Sequence, residues 1–471
     1  MINYAKGYVI MFKRYIGDRY FYRRVLAVAL PIIIQNGITN FVSLLDNIMV
    51  GQVGTVQMSG VAIVNQLLFV FNLCIFGAVS GAGIFTAQYC GSSNHQGIRF
   101  TFRFKVLVGA ILTALSVGLL LYAGKPLIGL YLRGEGLPED AALTLAYGWD
   151  YLLVMLWGLP AFALATAYSS TLRECNQTMV PMVGGICAVL VNLALNYVLI
   201  FGHLGAPAMG IQGAALATVI SRYIELAIVA GWTHLNSHKN PFIKDAYRSM
   251  HIPGHLLGQI MQKGFPLLVN EALWSIGMAM LNQCFSTRGL DVVAAQNISG
   301  TLYNLSSVVF LSMGNAVGII MGQMLGACKT EPEIRDTNRK LIVTSVFSCL
   351  IFGGLMAGFS GLFPQIYNTT DDVRALATRL ICISAIMMPF NAYTNACYFT
   401  LRSGGKTMVT FLFDSCYVWV ICVPLTYILS RFTPMPIIPL YAICQGLDIL
   451  KSTIGAIMVR KGTWIQNLTI K

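Results

Sequence analysis

Apolar residues along this chain gather into runs of about 20, the length that crosses a hydrocarbon core about 30 Å thick, and short polar joints separate them. Twelve runs are predicted to span, at 25–49, 59–86, 104–124, 149–171, 180–201, 208–232, 264–285, 292–320, 341–362, 379–401, 408–430 and 437–459. The 31-residue joint from Thr233 to Lys263, polar and proline-bearing, stands out as a linker.

Composition agrees with the pattern. Hydrophobic residues make up 56% of the 471 and charged residues 10%, with a mean hydropathy of +0.68, against about 25% charged in soluble domains. The net charge of +13 raises nucleic acid as a partner, and the distribution of that charge removes it. With the N-terminus inside, and with Lys105 and Arg379 at span edges counted with the joints beside them, 23 of the 31 Lys and Arg fall in inner segments and six in outer ones, while Arg222 and Lys451 lie deeper within spans. This is the positive-inside asymmetry, and it places both termini in the cytoplasm. Residues 1–24 lack a continuous apolar core, so they are read as an interfacial segment rather than a signal peptide, with Tyr4, Tyr8, Met11, Phe12 and Tyr15 forming one apolar stripe. The 12 cysteines contain no CxxC pair, which points to neither a disulfide framework nor a zinc site.

The chain repeats itself. A shift of 235 residues lays Pro31 on Pro266, Gly54 on Gly289, Gly83-Ile84 on Gly318-Ile319, and Gln88 and Gly91 on Gln323 and Gly326. A shift of 229 lays Pro160 on Pro389 and the joint TLRECNQTMV (171–180) on TLRSGGKTMV (400–409). Six spans per copy is an even number, so both copies enter the membrane in one direction and are expected to be related by a pseudo-twofold axis along the membrane normal. The expected plan is an all-α polytopic membrane protein with an N-lobe at 25–232, a cytoplasmic linker at 233–263, a C-lobe at 264–459 and a cytoplasmic tail at 460–471.

Asp46 is the only formally charged residue between Pro31 and Gly51. An acid in a span is expensive unless it faces a polar cavity or binds something, and late in a helix it opposes the macrodipole. In the fifth span Asn192 and Asn196 lie one turn apart on one face. Two asparagines there serve equally well as helix-packing polar groups or as partners for a carboxylate or cation.

A first span with proline, an aspartate fifteen residues on within DNIMVG, a glycine-bearing outer turn and the paired LR joints together resemble the multidrug and toxic compound extrusion (MATE) family, over about residues 20–460. That resemblance implies a twelve-helix, two-lobed exporter that exchanges sodium ions or protons for organic, often cationic, compounds. It also implies that Asp46 is the cation-responsive acid, with Asn192 and Asn196 as its network and as a sodium site, and that polar residues of the second lobe contribute. Those are Glu271, beside Asn270; Asp414, within reach of Arg402 or Lys406 by sequence; and Asn391, which stands where some family members carry an acid. An amide cannot take up a proton, so coupling is expected in the first lobe.

Arg222 with Glu225, and Asp448 with Lys451, sit three residues apart on one helix face and are expected to be structural, self-neutralising pairs. SGGKT (403–407) fails as a phosphate loop because Thr400 stands where glycine is required, Pro253-Gly254 breaks the second of two histidine pairs, and HExxH and GxSxG are absent. No enzyme, resident metal or cofactor is expected beyond Na+ or H+ as the coupling ion. The expectation is a monomeric antiporter of the plasma membrane, partnered by small organic substrates and the bilayer. A flippase for lipid-linked saccharides or peptidoglycan precursor is the alternative, one that calls for a cationic cavity.

Overall fold

The computed structural model describes residues 15–132 and 138–470, which are helical with short connections. The helices are α1 (Arg19–Gly51), α2 (Thr55–Gly91), α3 (His95–Tyr131), α4 (Pro138–Leu156), α5 (Gly158–Glu174), α6 (Met179–Phe201), α7 (Gly210–Leu235), α8 (Gly254–Ser286), α9 (Leu290–Gly326), α10 (Glu331–Phe359), α11 (Asp371–Ser403), α12 (Thr407–Phe432) and α13 (Ile437–Lys461). Among the described residues eleven are long and apolar enough to cross a membrane, and α4 and α5, bent by 46°, make a twelfth between them. The bend has a local cause. Pro160 has no N–H to donate and its ring crowds the carbonyl of Leu156, and Leu156 is where α4 ends.

Several helices run past the apolar stretches that announce them. The span expected at 104–124 belongs to a 37-residue helix, about 55 Å long at 1.5 Å per residue. It starts early because Asn94 caps it, the side chain accepting from the Gly97 N–H at 2.9 Å, so the helix continues where the hydrocarbon stops. In the same way, residues 19–24 are the first turns of α1 rather than part of a separate interfacial segment. Tyr4, Tyr8, Met11 and Phe12 lie outside the described residues. At the turns after α1 and α8, the repeat-related Gly54 and Gly289 adopt φ of +151° and +113°, a region that side chains with a Cβ rarely enter.

The contacts divide the chain into two compact units. One comprises the described residues up to Ile33, Ala87–Ser93 and Val269–Lys471; the other comprises Ile34–Thr86 and Asn94–Leu268. The expected lobe boundaries run along the sequence, whereas α1, α2 and α8 each change unit partway. The changes in α1 and α8 come three residues after Pro31 and Pro266, at positions 235 apart.

In the second of these units Val64, Leu68, Phe71 and Ile75 of α2 pack with Leu152 of α4 and Ala215 of α7. Its linker is folded onto it. The Arg103 guanidinium donates to the carbonyls of Asp245 and Ala246 at 2.7 Å and of His251 at 3.1 Å, and Arg99 donates to that of Phe242 at 3.2 Å. The Tyr168 hydroxyl bonds both Tyr247 and His234.

In the first unit Ala316, Val317, Ile320 and Met321 of α9 pack with Ala396, Cys397 and Leu401 of α11, and Trp464 joins that core from beyond α13. The segment after α13 is strapped down by Gln88. Its amide nitrogen donates to the carbonyls of Ser403 (3.0 Å) and Gln466 (3.2 Å), and its oxygen accepts from the Leu468 N–H at 2.7 Å.

Candidate functional site

The Ile34–Leu268 part of the chain brings together the three residues expected to form a site. Asp46 is half-buried on α1, and Asn192 and Asn196 are buried one turn apart on α6. Asn196 Nδ2 donates to Asp46 Oδ1 at 2.7 Å. With its nitrogen toward α1, the Asn192 amide donates to Asp46 Oδ2 at 2.8 Å and accepts from the Thr218 hydroxyl of α7 at 3.2 Å. Turned over, the same amide donates to Thr218 Oγ at 3.2 Å and presents its oxygen to the carboxylate. Two acceptors in contact are tolerable only with a proton or cation between them. The Asn196 Oδ1 atom is buried without a hydrogen-bond partner, a further acceptor beside the acid. Thr218, whose hydroxyl donates to the Ala214 carbonyl at 3.0 Å when it accepts from Asn192, was not singled out from the sequence. A threonine in a span bonds its own helix so often that nothing marks it.

A second polar cluster lies in the Val269–Lys471 part. Asn270, fully buried, donates from Nδ2 to Asp414 Oδ2 at 3.0 Å, and its Oδ1 accepts from the Ser415 hydroxyl at 2.7 Å. Asp414 Oδ1 is 2.7 Å from Lys451 Nζ. Neither Arg402 nor Lys406 is therefore its partner, and Lys451 does not turn to Asp448 on its own helix. The i,i+3 spacing brings two side chains onto one face, but α12 sits against that face and offers the nearer carboxylate. The Arg222 guanidinium lies over the Phe162 ring, 4.6 Å from the centre.

Glu271 is not drawn into the Asp414 hydrogen bonds, and Arg402 is the cation whose charge acts on it most. Asn391 donates to the Tyr303 hydroxyl at 3.2 Å, a tie that an acid at this position would replace with an acceptor. Around Asp414 the backbone of α12 is π-helical, over Leu412–Cys416 and Val418–Cys422. Such wide turns are rare and frequent at functional sites.

One further charged pair escaped the sequence reading. The Lys105 ammonium, fully buried, donates to Glu174 Oε2 at 2.6 Å and to the hydroxyls of Ser170 and Thr171 at 3.1 Å. It ties α3 to the first LR joint.

Two copies of a six-span unit, each with a half-buried carboxylate held by an asparagine amide, have the layout of a secondary transporter. The family model described as MatE matches residues 31–198 and 266–428, two stretches that begin at the repeat-related prolines, and the chain belongs to that family, whose members are transporters and not enzymes. It is 22% identical over 448 residues to the probable multidrug resistance protein NorM of Thermotoga maritima, covering 94% of this chain and 93% of that one. It is 25% identical over 417 residues to the probable multidrug resistance protein YoeA of Bacillus subtilis, covering 87% of each. The crystal structure of the Vibrio cholerae MATE transporter VcmN superposes with a TM-score of 0.84 at 18% identity, covering 95% of this chain and 98% of that one.

Proposed function

We infer that this protein exports small organic compounds, cationic or amphipathic, from the cytoplasm across the plasma membrane, in exchange for Na+ or H+ and by alternating access. Both termini face the cytoplasm in this reading, which the charge asymmetry of the joints supports. The multidrug-resistance names of the relatives support small organic compounds as cargo. The observation that carries the coupling is the Asp46 cluster, with two amide nitrogens turned to its carboxylate and the orphaned Asn196 oxygen beside it.

The cluster has two self-consistent states. With Asp46 ionised, both amides turn N–H groups to it, and its negative charge is held ready for a cation. With a proton on Oδ2, or a sodium ion between the acceptors, the Asn192 amide turns over and passes its N–H to Thr218. Ion binding thus changes the hydrogen-bond order linking α1, α6 and α7. By linkage, an ion that weakens the hold on cargo is itself displaced by cargo. One inward elementary charge releases about 2.3 kcal/mol per 100 mV, and tenfold accumulation of a neutral compound costs about 1.4 kcal/mol, so one ion per cycle suffices.

The test is uptake of a fluorescent organic cation into proteoliposomes under an imposed sodium or proton gradient. Asp46→Asn should lose gradient-driven transport while remaining folded, since asparagine keeps the shape and still offers one acceptor. Wild-type transport by a monodisperse Asp46→Asn protein would refute the coupling role.

A further inference from the structure

The two units treat their half-buried acids differently. Asp46 is dressed by neutral amides, whereas Asp414 already carries an ammonium on Oδ1, the Lys451 Nζ at 2.7 Å. That ammonium sits 5.5 Å from the centre of the Phe413 ring and 5.8 Å from that of Tyr417, distances at which aromatic faces attract cations. A carboxylate flanked by two aromatic rings is the chemistry that recognises an organic cation, and here a side chain of the protein fills it.

The rest of the surroundings fixes the receptor and leaves the ammonium as the movable part. Asn270 holds Asp414 Oδ2 and is itself pinned by Ser415, and the π-helical turn Leu412–Cys416 carries Phe413 and Asp414, with Tyr417 directly after it. Lysine, by contrast, is a point charge on a flexible stem. At the position related to Lys451 by the 229 shift, Arg222 rests on Phe162 with its guanidinium. The repeat therefore keeps a cation on this face of both helices, and in the second copy it lies 2.7 Å from the Asp414 carboxylate of another helix.

We propose that Lys451 is a tethered competitor at Asp414, standing where the cationic group of a transported compound binds, and that it sets which organic cations this unit accepts. A tethered group competes at an effective concentration of about 1 mM or more. A weakly binding monocation is then turned away, and a ligand that displaces the ammonium must match both the charge and the two rings. The proposal deepens the export reading and relies on it only for the direction of transport, so binding to the purified protein tests it separately from coupling.

The probe is tetraphenylphosphonium, a lipophilic monocation, with its equilibrium binding measured on the full chain in detergent. Lys451→Met should bind it about tenfold more tightly than wild type, and Lys451→Arg, which keeps a competing cation, should not. The double variant Asp414→Asn/Lys451→Met removes both charges of the 2.7 Å pair and so guards against misfolding of the single variant; it should bind more weakly than wild type. Binding by the double variant equal to wild type, Lys451→Met no tighter than wild type while monodisperse, or no binding by wild type and Lys451→Met alike would each overturn the proposal. Loss of gradient-driven uptake with the binding shifts intact would instead count against the export reading.

Discussion

Gly91 and Gly326 make reciprocal contacts across the ends of α2 and α9. A Cβ added to Gly91 would lie 2.0 Å from the Gln323 carbonyl oxygen, and one added to Gly326 would lie 1.8 Å from the Gln88 carbonyl oxygen. Real Cβ atoms do not approach a carbonyl so closely, so in Gly91→Ala the two backbones must separate by more than an ångström. Overpacking of this kind costs about 1–3 kcal/mol, equivalent to a shift of about 5- to 150-fold in an equilibrium between the closed crossing and an open one. Hydrogen exchange read by mass spectrometry on peptides covering 87–93 and 320–328 measures that shift directly. Both peptides should exchange faster in Gly91→Ala, and Gly326→Ala should reproduce the effect because the repeat makes the two contacts equivalent. Gly118→Ala, where nothing lies within 4 Å of the added atom, is the control. Protection of both peptides at the wild-type level in Gly91→Ala would show that the crossing is loose and the reasoning wrong.

Other outcomes follow from the ion pair and the linker. Glu174→Ala leaves the Lys105 ammonium buried with two hydroxyls, a loss of about 3–5 kcal/mol, and Lys105→Met/Glu174→Ala should recover most of it; thermal unfolding followed with a thiol-reactive dye compares them, and equal melting of single and double variants would disprove the pair's role. Arg103→Met deprives three linker carbonyls of a charged donor, each such bond being worth about 1.5–3 kcal/mol. Trypsin should then cut at the exposed Lys244 and Arg248 at least tenfold faster than in wild type, and an unchanged cleavage rate would mean that the linker is held by other contacts.

The sequence was most informative where a feature lies along one helix. Apolar run length marked the spans, the 235-residue shift paired the prolines, and the i,i+4 spacing of Asn192 and Asn196 put both amides on the face that meets Asp46. It misled where the deciding contact crosses between helices. Spacing offered Asp448 to Lys451, but the rotation of α12 delivered Asp414, and no local signal states that rotation. The same limit hid Lys105 with Glu174, 69 residues apart, and the clamp of Arg103 on the linker. The π-helical turns were illegible for another reason. They depend on which carbonyl each N–H selects, and LFDSCYVWVIC reads as an ordinary apolar span.

The strap around Gln88 bears on how the chain is made. Its amide partners lie 315 and 378 residues downstream, so the end of α2 leaves the ribosome and enters the bilayer long before the groups that satisfy it exist. During synthesis that polar side chain stays in water or borrows temporary partners, and this corner of the molecule matures only after Leu468 has emerged. A bulky fusion placed directly behind Leu468 therefore competes with the final step of assembly, and a flexible spacer there should raise the yield of mature protein.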